Sequence, residues 1–229
     1  MVPKAGRKHE VEGPILVKKH FEPVGCDVDL ATGAMTNATG SYEKRFGDLA
    51  GLYGDEAAFQ RMRVEWGDKV VYAVSDFRPS DRAGDVIFGV TRMVPGKVGD
   101  EFFITRGHIH RQADRPEIYY GQKGKGLMLM ESPEGETRIV EIEPLTCCYV
   151  PPYWIHRSVN TGSEELVMLF CYPADSGQDY AIIEGSGGMR SRILDDGAGG
   201  WKAVENPNWR PRDEAALAAV YASSKKDAA

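Results

Sequence analysis

The sequence predicts an all-β domain of the sandwich or barrel type, with short helices at its flanks. From Val70 to Tyr180, runs rich in β-branched and aromatic residues follow one another, and turn residues separate them at intervals of about 8–12 residues. Proline and glycine favour turn backbone, so these separators indicate strand after strand. The turns contain Pro79–Asp81, Pro95–Lys97, Gly124–Gly126, Ser132–Gly135 and Thr161–Ser163.

Three elements are expected outside the strand-rich region. Asp55–Arg63 opens with acidic side chains, which suit the positive end of a helix dipole, so we expect a helix there. Ser191–Leu194 has the composition of a further short strand. Arg212–Tyr221 is rich in alanine, the strongest helix former, and is expected to be helical.

The chain is expected to hold a single β domain. All-β domains of this length, 229 residues, often form one unit around one core. We place that domain at residues 21–210, after a charged and flexible N-terminal tail at residues 1–20. Residues 211–229 form the expected C-terminal helical extension.

Composition limits the classes of partner. A net charge of −6 argues against non-specific binding to nucleic acid or membrane, and it means that a phosphorylated substrate needs local donors. No run of 18 apolar residues is present, and the basic N-terminus has no apolar core behind it, so neither a membrane span nor a secretory signal is expected. The four cysteines fit neither a zinc ribbon nor a disulfide framework. A cytoplasmic protein with reduced thiols is the expectation.

One set of residues points to a metal site. His108 and His110 would project from the same face of a strand, about 6–7 Å apart. Glu117, after a turn, can return to that face, and His156 from a distant strand can complete the set. Three of the five histidines in the chain fall in this group. Three nitrogens and one carboxylate oxygen suit zinc, iron, manganese or nickel better than calcium or magnesium.

The spacing of these residues resembles the paired motifs of the cupin superfamily. The first motif reads His-x-His-x(6)-Glu-x(6)-Gly and ends at Gly124; the second reads Pro-Pro-x(3)-His-x(3)-Asn and ends at Asn160. One departure is Phe102, where the first motif usually has a glycine. The resemblance implies a cupin jelly-roll β-barrel with short flanking helices.

Longer blocks narrow this resemblance to the cupin-type, or archaeal-type, glucose-6-phosphate isomerases. They extend over most of the chain, from about His20 to Trp209. The blocks are Pro95–Gly99, Glu101–Phe103, Thr105–His110, Asp114–Tyr119, Pro133–Gly135, Tyr149–Arg157 and Tyr172–Tyr180.

The resemblance implies a metal-dependent aldose–ketose isomerase that interconverts glucose 6-phosphate and fructose 6-phosphate, and it also implies a homodimer. One divalent transition metal (Fe, Mn, Ni or Zn) per subunit would be held by His108, His110, Glu117 and His156. Catalytic roles fall on Glu117, Tyr172 and His156. Substrate and phosphate contacts fall on Thr91, Thr105, Gly107, Tyr119, Tyr172 and Tyr180.

The position of Thr105 carries a local structural expectation. It stands three residues before His108 and would therefore lie on the opposite face of a regular strand. If both side chains belong to one site, the backbone needs a bulge or bend at Arg106–Gly107.

Several alternatives remain open at this stage. Glu117 could carry the proton between the two carbons, or a metal-assisted hydride shift could replace it. A metal cupin of another class, such as an iron dioxygenase, a non-catalytic sugar-phosphate binding protein, and an isomerase of another sugar phosphate such as mannose 6-phosphate are the competing functions. Gln178 stands where the family commonly has a histidine, and glutamine cannot exchange a proton near neutral pH. If that histidine assists ring opening, this protein would open the ring through another group or more slowly, and we expect reduced activity and not its loss.

Overall fold

The computed structural model describes residues 22–223, and the predicted N-terminal tail at residues 1–20 lies outside these described residues. The described part consists mainly of strands. They are β1 (Gly40–Arg45), β2 (Val70–Phe77), β3 (Val86–Met93), β4 (Lys97–Val98), β5 (Glu101–Phe102), β6 (Glu117–Lys123), β7 (Gly126–Glu131), β8 (Thr137–Ile142), β9 (Cys147–Val150), β10 (Ile155–Asn160), β11 (Leu166–Pro173), β12 (Ser191–Asp195) and β13 (Trp201–Glu205).

The helices are short and flank the strands. A 3-10 helix spans Phe46–Leu49, and the α-helices are α1 (Glu56–Trp66), α2 (Ala181–Gly185) and α3 (Glu214–Ala222). The helices expected from the sequence at Asp55–Arg63 and Arg212–Tyr221 correspond to α1 and α3. The predicted all-β fold class, a cupin jelly-roll barrel with short flanking helices, is confirmed.

The strands form three antiparallel sheets. The largest has the order β1-β2-β3-β11-β6-β9, a second has β10-β7-β8, and a third has β13-β12-β5-β4. The six-stranded and three-stranded sheets share one apolar core, which includes Met168 from β11, Tyr119 from β6 and Leu127 from β7. This sheet-on-sheet packing puts the inward side chains of both sheets in one interior.

Polar side chains interrupt the apolar inner face of the six-stranded sheet. Val74 of β2 pairs with Thr91 of β3, and Phe170 of β11 pairs with Tyr119 of β6. Alternate residues of a strand share a face, so Glu117 lies on the same side as Tyr119. The register therefore brings a threonine, a tyrosine and a carboxylate to one part of the interior.

Helix α1 packs on the aromatic part of the core, next to the segment that leads to the histidine pair. Asp55 caps it by accepting a hydrogen bond of 2.8 Å from the Ala58 N–H. Phe59 is fully buried and stacks on Phe46, with ring centroids 4.6 Å apart. Phe103, in the segment that leads to the histidine pair, contacts Phe46 at 6.0 Å. This aromatic cluster ties the start of the site segment to the core.

The chain is less regular around the histidine pair than a continuous strand. Between β5 and β6, isolated bridges occur only at Ile104, His108 and Ile109. The interruption falls at Gly107, whose φ of +75° lies in the left-handed region that glycine tolerates. The bend expected at Arg106–Gly107 is confirmed.

Two strands and one helix escaped the sequence analysis. Strand β1 lies before the strand-rich region, β13 follows a glycine-rich stretch, and α2 has only five residues. Strand β1 gains its partner, β2, from beyond helix α1, whereas β13 pairs with the preceding strand β12 across the glycine-rich turn. Within residues 22–223, no helix has both the length and the apolar character required to cross a membrane.

Replacing Phe59 with alanine should lower the free energy of unfolding by about 3–5 kcal/mol, because it leaves a cavity among the aromatic rings. Urea denaturation measures this change. The control is Val64→Ala on the same helix, where Val64 is 91% exposed; it should alter the free energy by less than about 0.5 kcal/mol. Equal, small effects for both variants would contradict the packing described.

Candidate active site and metal centre

Two distant segments bring the predicted metal ligands together. His108 and His156 exchange backbone hydrogen bonds: the His108 N–H donates to the His156 carbonyl at 3.0 Å, and the His156 N–H donates back at 2.9 Å. His110 follows on the same segment as His108. Glu117 opens β6 in the facing sheet, whereas His156 lies near the start of β10.

The four side chains converge on a small volume. Glu117 Oε2 lies 3.1 Å from His110 Nε2, 3.0 Å from His156 Nε2 and 4.0 Å from His108 Nε2. One possible ligand atom from each residue lies within 4.8 Å of all the others. All four residues are buried except for the partial exposure of the His108 ring. The structure brings together every metal ligand that the sequence suggested.

Backbone carbonyls fix the orientation of two imidazoles. His110 Nδ1 lies 2.7 Å from the Arg115 carbonyl oxygen, and His156 Nδ1 lies 3.1 Å from the Trp154 carbonyl oxygen. A carbonyl only accepts, so each Nδ1 carries the proton and donates. Each Nε2 then faces the Glu117 carboxylate oxygen, and the two atoms can share one cation, either a proton or a metal ion.

The donor set fits a transition metal. His108 Nε2 is buried and has no hydrogen-bond partner among residues 22–223, as expected of a nitrogen that belongs to a coordination shell. The Nδ1–H to carbonyl bonds of His110 and His156 are the outer contacts that metal-bound histidines usually make. Three imidazole nitrogens with one carboxylate oxygen suit zinc, iron, manganese or nickel.

The same contacts shift the pKa values of three of these four residues. Burial disfavours the Glu117 carboxylate, but the contacts from His110 and His156 outweigh burial and lower the pKa of Glu117 below its ordinary value. Burial, reinforced by the His156 charge, lowers the pKa of His108 well below its ordinary value. For His110, burial opposes the charged ring, yet Glu117 prevails and raises its pKa. Glu117 is therefore an ionised carboxylate at neutral pH.

A cavity adjoins this group and contains the predicted substrate contacts. Its wall includes Glu117 and His108, whereas His110 and His156 are not among the residues that line it. His156 lies behind the cavity, with its ring 6.0 Å from that of Tyr119. All six residues predicted to contact substrate line the cavity: Thr91, Thr105, Gly107, Tyr119, Tyr172 and Tyr180.

The cavity also contains residues that the sequence analysis missed. Tyr72 and Asp76 share the inner face of β2 with Val74, a pattern that alternation within Val70–Phe77 could have revealed. Tyr42 belongs to β1, which had no sequence signal of its own. Arg78, Arg106, Ser158 and Phe170 complete the missed set.

Two arginines give the cavity cationic groups despite the acidic chain. The Arg106 guanidinium lies 4.3 Å from the Tyr180 ring centroid and pairs with Glu184 at 2.5 Å. Arg78 pairs with Asp76 at 3.1 Å. Both guanidiniums are partly exposed and reach the cavity, so each can contribute positive charge toward an anionic ligand.

Two buried tyrosines supply neutral hydroxyls. Burial raises the pKa of Tyr72 to about 12. Burial, with the nearby Glu117 charge, raises the pKa of Tyr172 to about 12 as well. Both hydroxyls therefore remain protonated at neutral pH and can donate to sugar or phosphate oxygens.

Gln178 occupies a defined place in this cavity. Its side-chain oxygen accepts a hydrogen bond from the Tyr180 hydroxyl, and its amide group lines the wall beside Tyr172. The residue where the family commonly has a histidine is therefore part of the cavity and not of a remote loop.

Comparison with known proteins agrees with this site. The family model for glucose-6-phosphate isomerase matches residues 43–210. A glucose-6-phosphate isomerase of Sinorhizobium medicae is 72% identical over 209 residues, which cover 91% of this chain and 98% of the relative. One of Thermococcus litoralis is 46% identical over 192 residues, 84% of this chain and 99% of the relative.

Solved structures align with a smaller part of this chain. An oxalate oxidase in complex with glycolate aligns with 48% of this chain and 55% of its own at 17% identity, with a TM-score of 0.41. An overlap this limited says nothing about the reaction. The family match covers the four residues of the His/Glu group and every cavity residue except Tyr42, and the chain belongs to the glucose-6-phosphate isomerase family.

Proposed function

We propose that this protein interconverts glucose 6-phosphate and fructose 6-phosphate in a metal-dependent reaction. The observation that carries the proposal is the buried group of three imidazoles and one carboxylate beside a cavity lined with hydroxyl and guanidinium donors. Isomerisation requires a proton to leave one carbon and return to its neighbour, while two adjacent oxygens are held. A carboxylate beside such a centre meets the first requirement.

His108, His110, Glu117 and His156 would hold one divalent transition metal, either iron, manganese, nickel or zinc. When bound, the metal supplies Lewis acidity toward the two sugar oxygens. The imidazoles also fix the carboxylate, because His110 and His156 both contact Glu117 Oε2. We assign His156 this double role, as ligand and as support of Glu117.

Glu117 is proposed as the proton carrier. It lines the cavity and is ionised at neutral pH, so it can accept a proton from a sugar carbon. Its lowered pKa makes it a weak base, which is why acidification of the carbon by a bound metal is part of the proposal. Tyr172, whose neutral hydroxyl lies in the same wall, is proposed to donate to a sugar oxygen during the transfer.

The phosphate end of the substrate is proposed to bind at the Thr105–Gly107 bend. The left-handed backbone of Gly107 and the hydroxyls of Thr91, Tyr119 and Tyr180 lie in this wall. Tyr72 and Arg106, which the sequence analysis missed, add a neutral donor and a cation. Several fixed donors can hold a phosphate dianion without a lysine-rich loop.

The proposal also includes the oligomeric state and the cellular compartment of the protein. We propose a homodimer formed through the outer face of the six-stranded sheet, where Ile118 of β6 pairs with Tyr149 of β9. These apolar side chains are 42% and 55% exposed, as expected at a contact between subunits. A cytoplasmic location agrees with the free state of Cys26, Cys147, Cys148 and Cys171, since reducing compartments keep thiols unpaired.

Removal of metal should abolish isomerisation. Protein stripped with a chelator should not form glucose 6-phosphate from fructose 6-phosphate, and one or more of Fe²⁺, Mn²⁺, Ni²⁺ and Zn²⁺, added singly, should restore the reaction. His110→Ala should be nearly inactive in every metal, whereas His9→Ala, outside the ligand set, should match wild type. Full activity in verified metal-free protein would refute metal dependence. Dioxygen uptake without isomerisation would support the dioxygenase alternative instead.

Glu117→Gln keeps the size of the side chain but removes its charge. We expect kcat to fall by about 10²–10⁴-fold, the usual contribution of a positioned base. Glu65→Gln, an exposed position on α1, should leave kcat unchanged. In heavy water the wild-type product glucose 6-phosphate should carry deuterium at carbon 2, measured by NMR. Deuterium there excludes a hydride shift, which keeps the substrate's own hydrogen, whereas a product without deuterium together with a fully active Glu117→Gln variant would indicate one.

Gln178→His restores a group that can exchange protons at the cavity wall. If ring opening limits the wild-type enzyme, kcat should rise by about threefold or more, within the range of general acid–base effects. Gln178→Asn, which keeps an amide but no titratable group, serves as the control and should give no rise. A folded Gln178→His enzyme with unchanged or lower kcat would show that ring opening does not depend on this position.

A further inference from the structure

The C-terminal segment lies beyond residues 43–210, the region that the family model matches, yet it is firmly attached to the barrel. The Arg212 side chain is 3% exposed and pairs with the buried Glu131 at 2.8 Å. It also donates to the Pro133 carbonyl oxygen at 2.9 Å. Helix α3 then begins at an Asp213 cap, and Val220 packs against the main core.

The last turn of α3 touches two loops. The Ser223 hydroxyl accepts a hydrogen bond of 3.2 Å from the Ala113 N–H and donates to the Val220 carbonyl oxygen at 2.7 Å. The Tyr221 ring lies 5.1 Å from the Tyr153 ring, and its hydroxyl donates to Glu134 at 2.6 Å. The two loops also touch each other, because the Tyr153 N–H donates to the Ala113 carbonyl at 2.6 Å.

These are the loops whose carbonyls orient the proposed metal ligands. Ala113 lies two residues before Arg115, whose carbonyl holds His110 Nδ1, and Tyr153 directly precedes Trp154, whose carbonyl holds His156 Nδ1. Tyr153 has a φ of +70°, a conformation that a tyrosine keeps only when its surroundings impose it. Contact with Tyr221 is part of those surroundings.

A cavity of about 230 Å³ lies behind the His110 segment and separates it from α3, lined on the helix side by Ala216, Ala219 and Ser223. Across this gap the Ser223 hydrogen bond joins α3 to the segment. Without it, the Ala113–Arg115 loop would be held from its other side, where Arg115 pairs with Asp175 at 2.6 Å, and would face the cavity without a bond to the helix. A nine-residue helix is only marginally stable alone, so α3 itself depends on the same contacts.

We propose that helix α3 is a brace for the metal site: Tyr221 and Ser223 are positioning residues that hold the Trp154 and Arg115 carbonyls, and through them the His156 and His110 rings. This inference rests on the proposed metal site. Loss of a contact that holds a metal-bound histidine, such as these carbonyls, commonly changes metal affinity by about 10–100-fold. The brace should therefore affect metal binding more than global stability.

The test measures metal affinity directly, by competition with a chromophoric chelator, in full-length protein. The Tyr221→Ala/Ser223→Ala double variant should bind Zn²⁺ at least about tenfold more weakly than wild type. Its Co²⁺ complex should show an altered d–d absorption spectrum. Tyr221→Phe keeps the ring contact, and Ser223→Thr keeps the hydroxyl. Each of these variants should bind Zn²⁺ with an affinity within about threefold of wild type. Ala218→Ser, exposed on the same helix, is the matched control.

Urea denaturation of the metal-free proteins separates positioning from folding. The double variant should unfold close to wild type while losing affinity; if it does not fold, each single alanine variant should show part of the loss. Wild-type affinity in the alanine variants, or an equal loss in Ala218→Ser, would overturn the brace. A wild-type protein that binds no metal would instead refute the proposed function.

Discussion

One carboxylate oxygen, Glu117 Oε2, lies between the Nε2 atoms of His110 and His156, and the two barrel sheets meet at this contact. Glu117 is 2% exposed, and an ionised carboxylate at that depth is costly unless other groups compensate for the lost water. Its surroundings provide that compensation through imidazoles whose far nitrogens are held by backbone carbonyls. A proton or a metal ion shared by the carboxylate and the rings satisfies the arrangement, so the same atoms that lower the pKa of Glu117 could also hold a metal ion.

Unusual backbone conformations occur on both segments that supply histidines. Gly107 takes a φ of +75°, and a side chain there would come within 2.9 Å of Arg157 Cβ. Tyr153 takes a φ of +70° without being glycine, at a cost of about 1–3 kcal/mol. The first bend turns Thr105 and His108 toward one cavity, and the second sets the Trp154 carbonyl against His156. Such strain persists only where neighbouring contacts hold it. The contact of Tyr153 with Tyr221 on helix α3 is one of these contacts.

The sequence was sufficient for local features and for motifs with fixed spacing. Turn residues at intervals of about 8–12 residues along Val70–Tyr180 predicted the strands, and the spacing of the histidines and Glu117 predicted four side chains that do converge. The bend at Arg106–Gly107 followed from requiring Thr105 and His108 in one site. By contrast, Tyr42 and Tyr72 reach the cavity through the register of β1 and β2. Register between strands depends on the whole sheet, and no short segment encodes it.

Strand β1 escaped prediction for this reason, because its pairing partner β2 lies beyond helix α1 in the chain. Helix α3 was predicted from its composition, but its anchor, the buried Arg212–Glu131 pair, joins residues that lie far apart in the chain. The central claim, that three imidazoles and one carboxylate share one ion, is tested most directly by X-ray absorption spectroscopy of the zinc-loaded protein. The account predicts three imidazole nitrogens at about 2.0–2.1 Å and a carboxylate oxygen at about 2.0–2.2 Å, with one imidazole lost in His156→Ala. A shell with fewer than three imidazoles in wild type, or one unchanged in that variant, would contradict it.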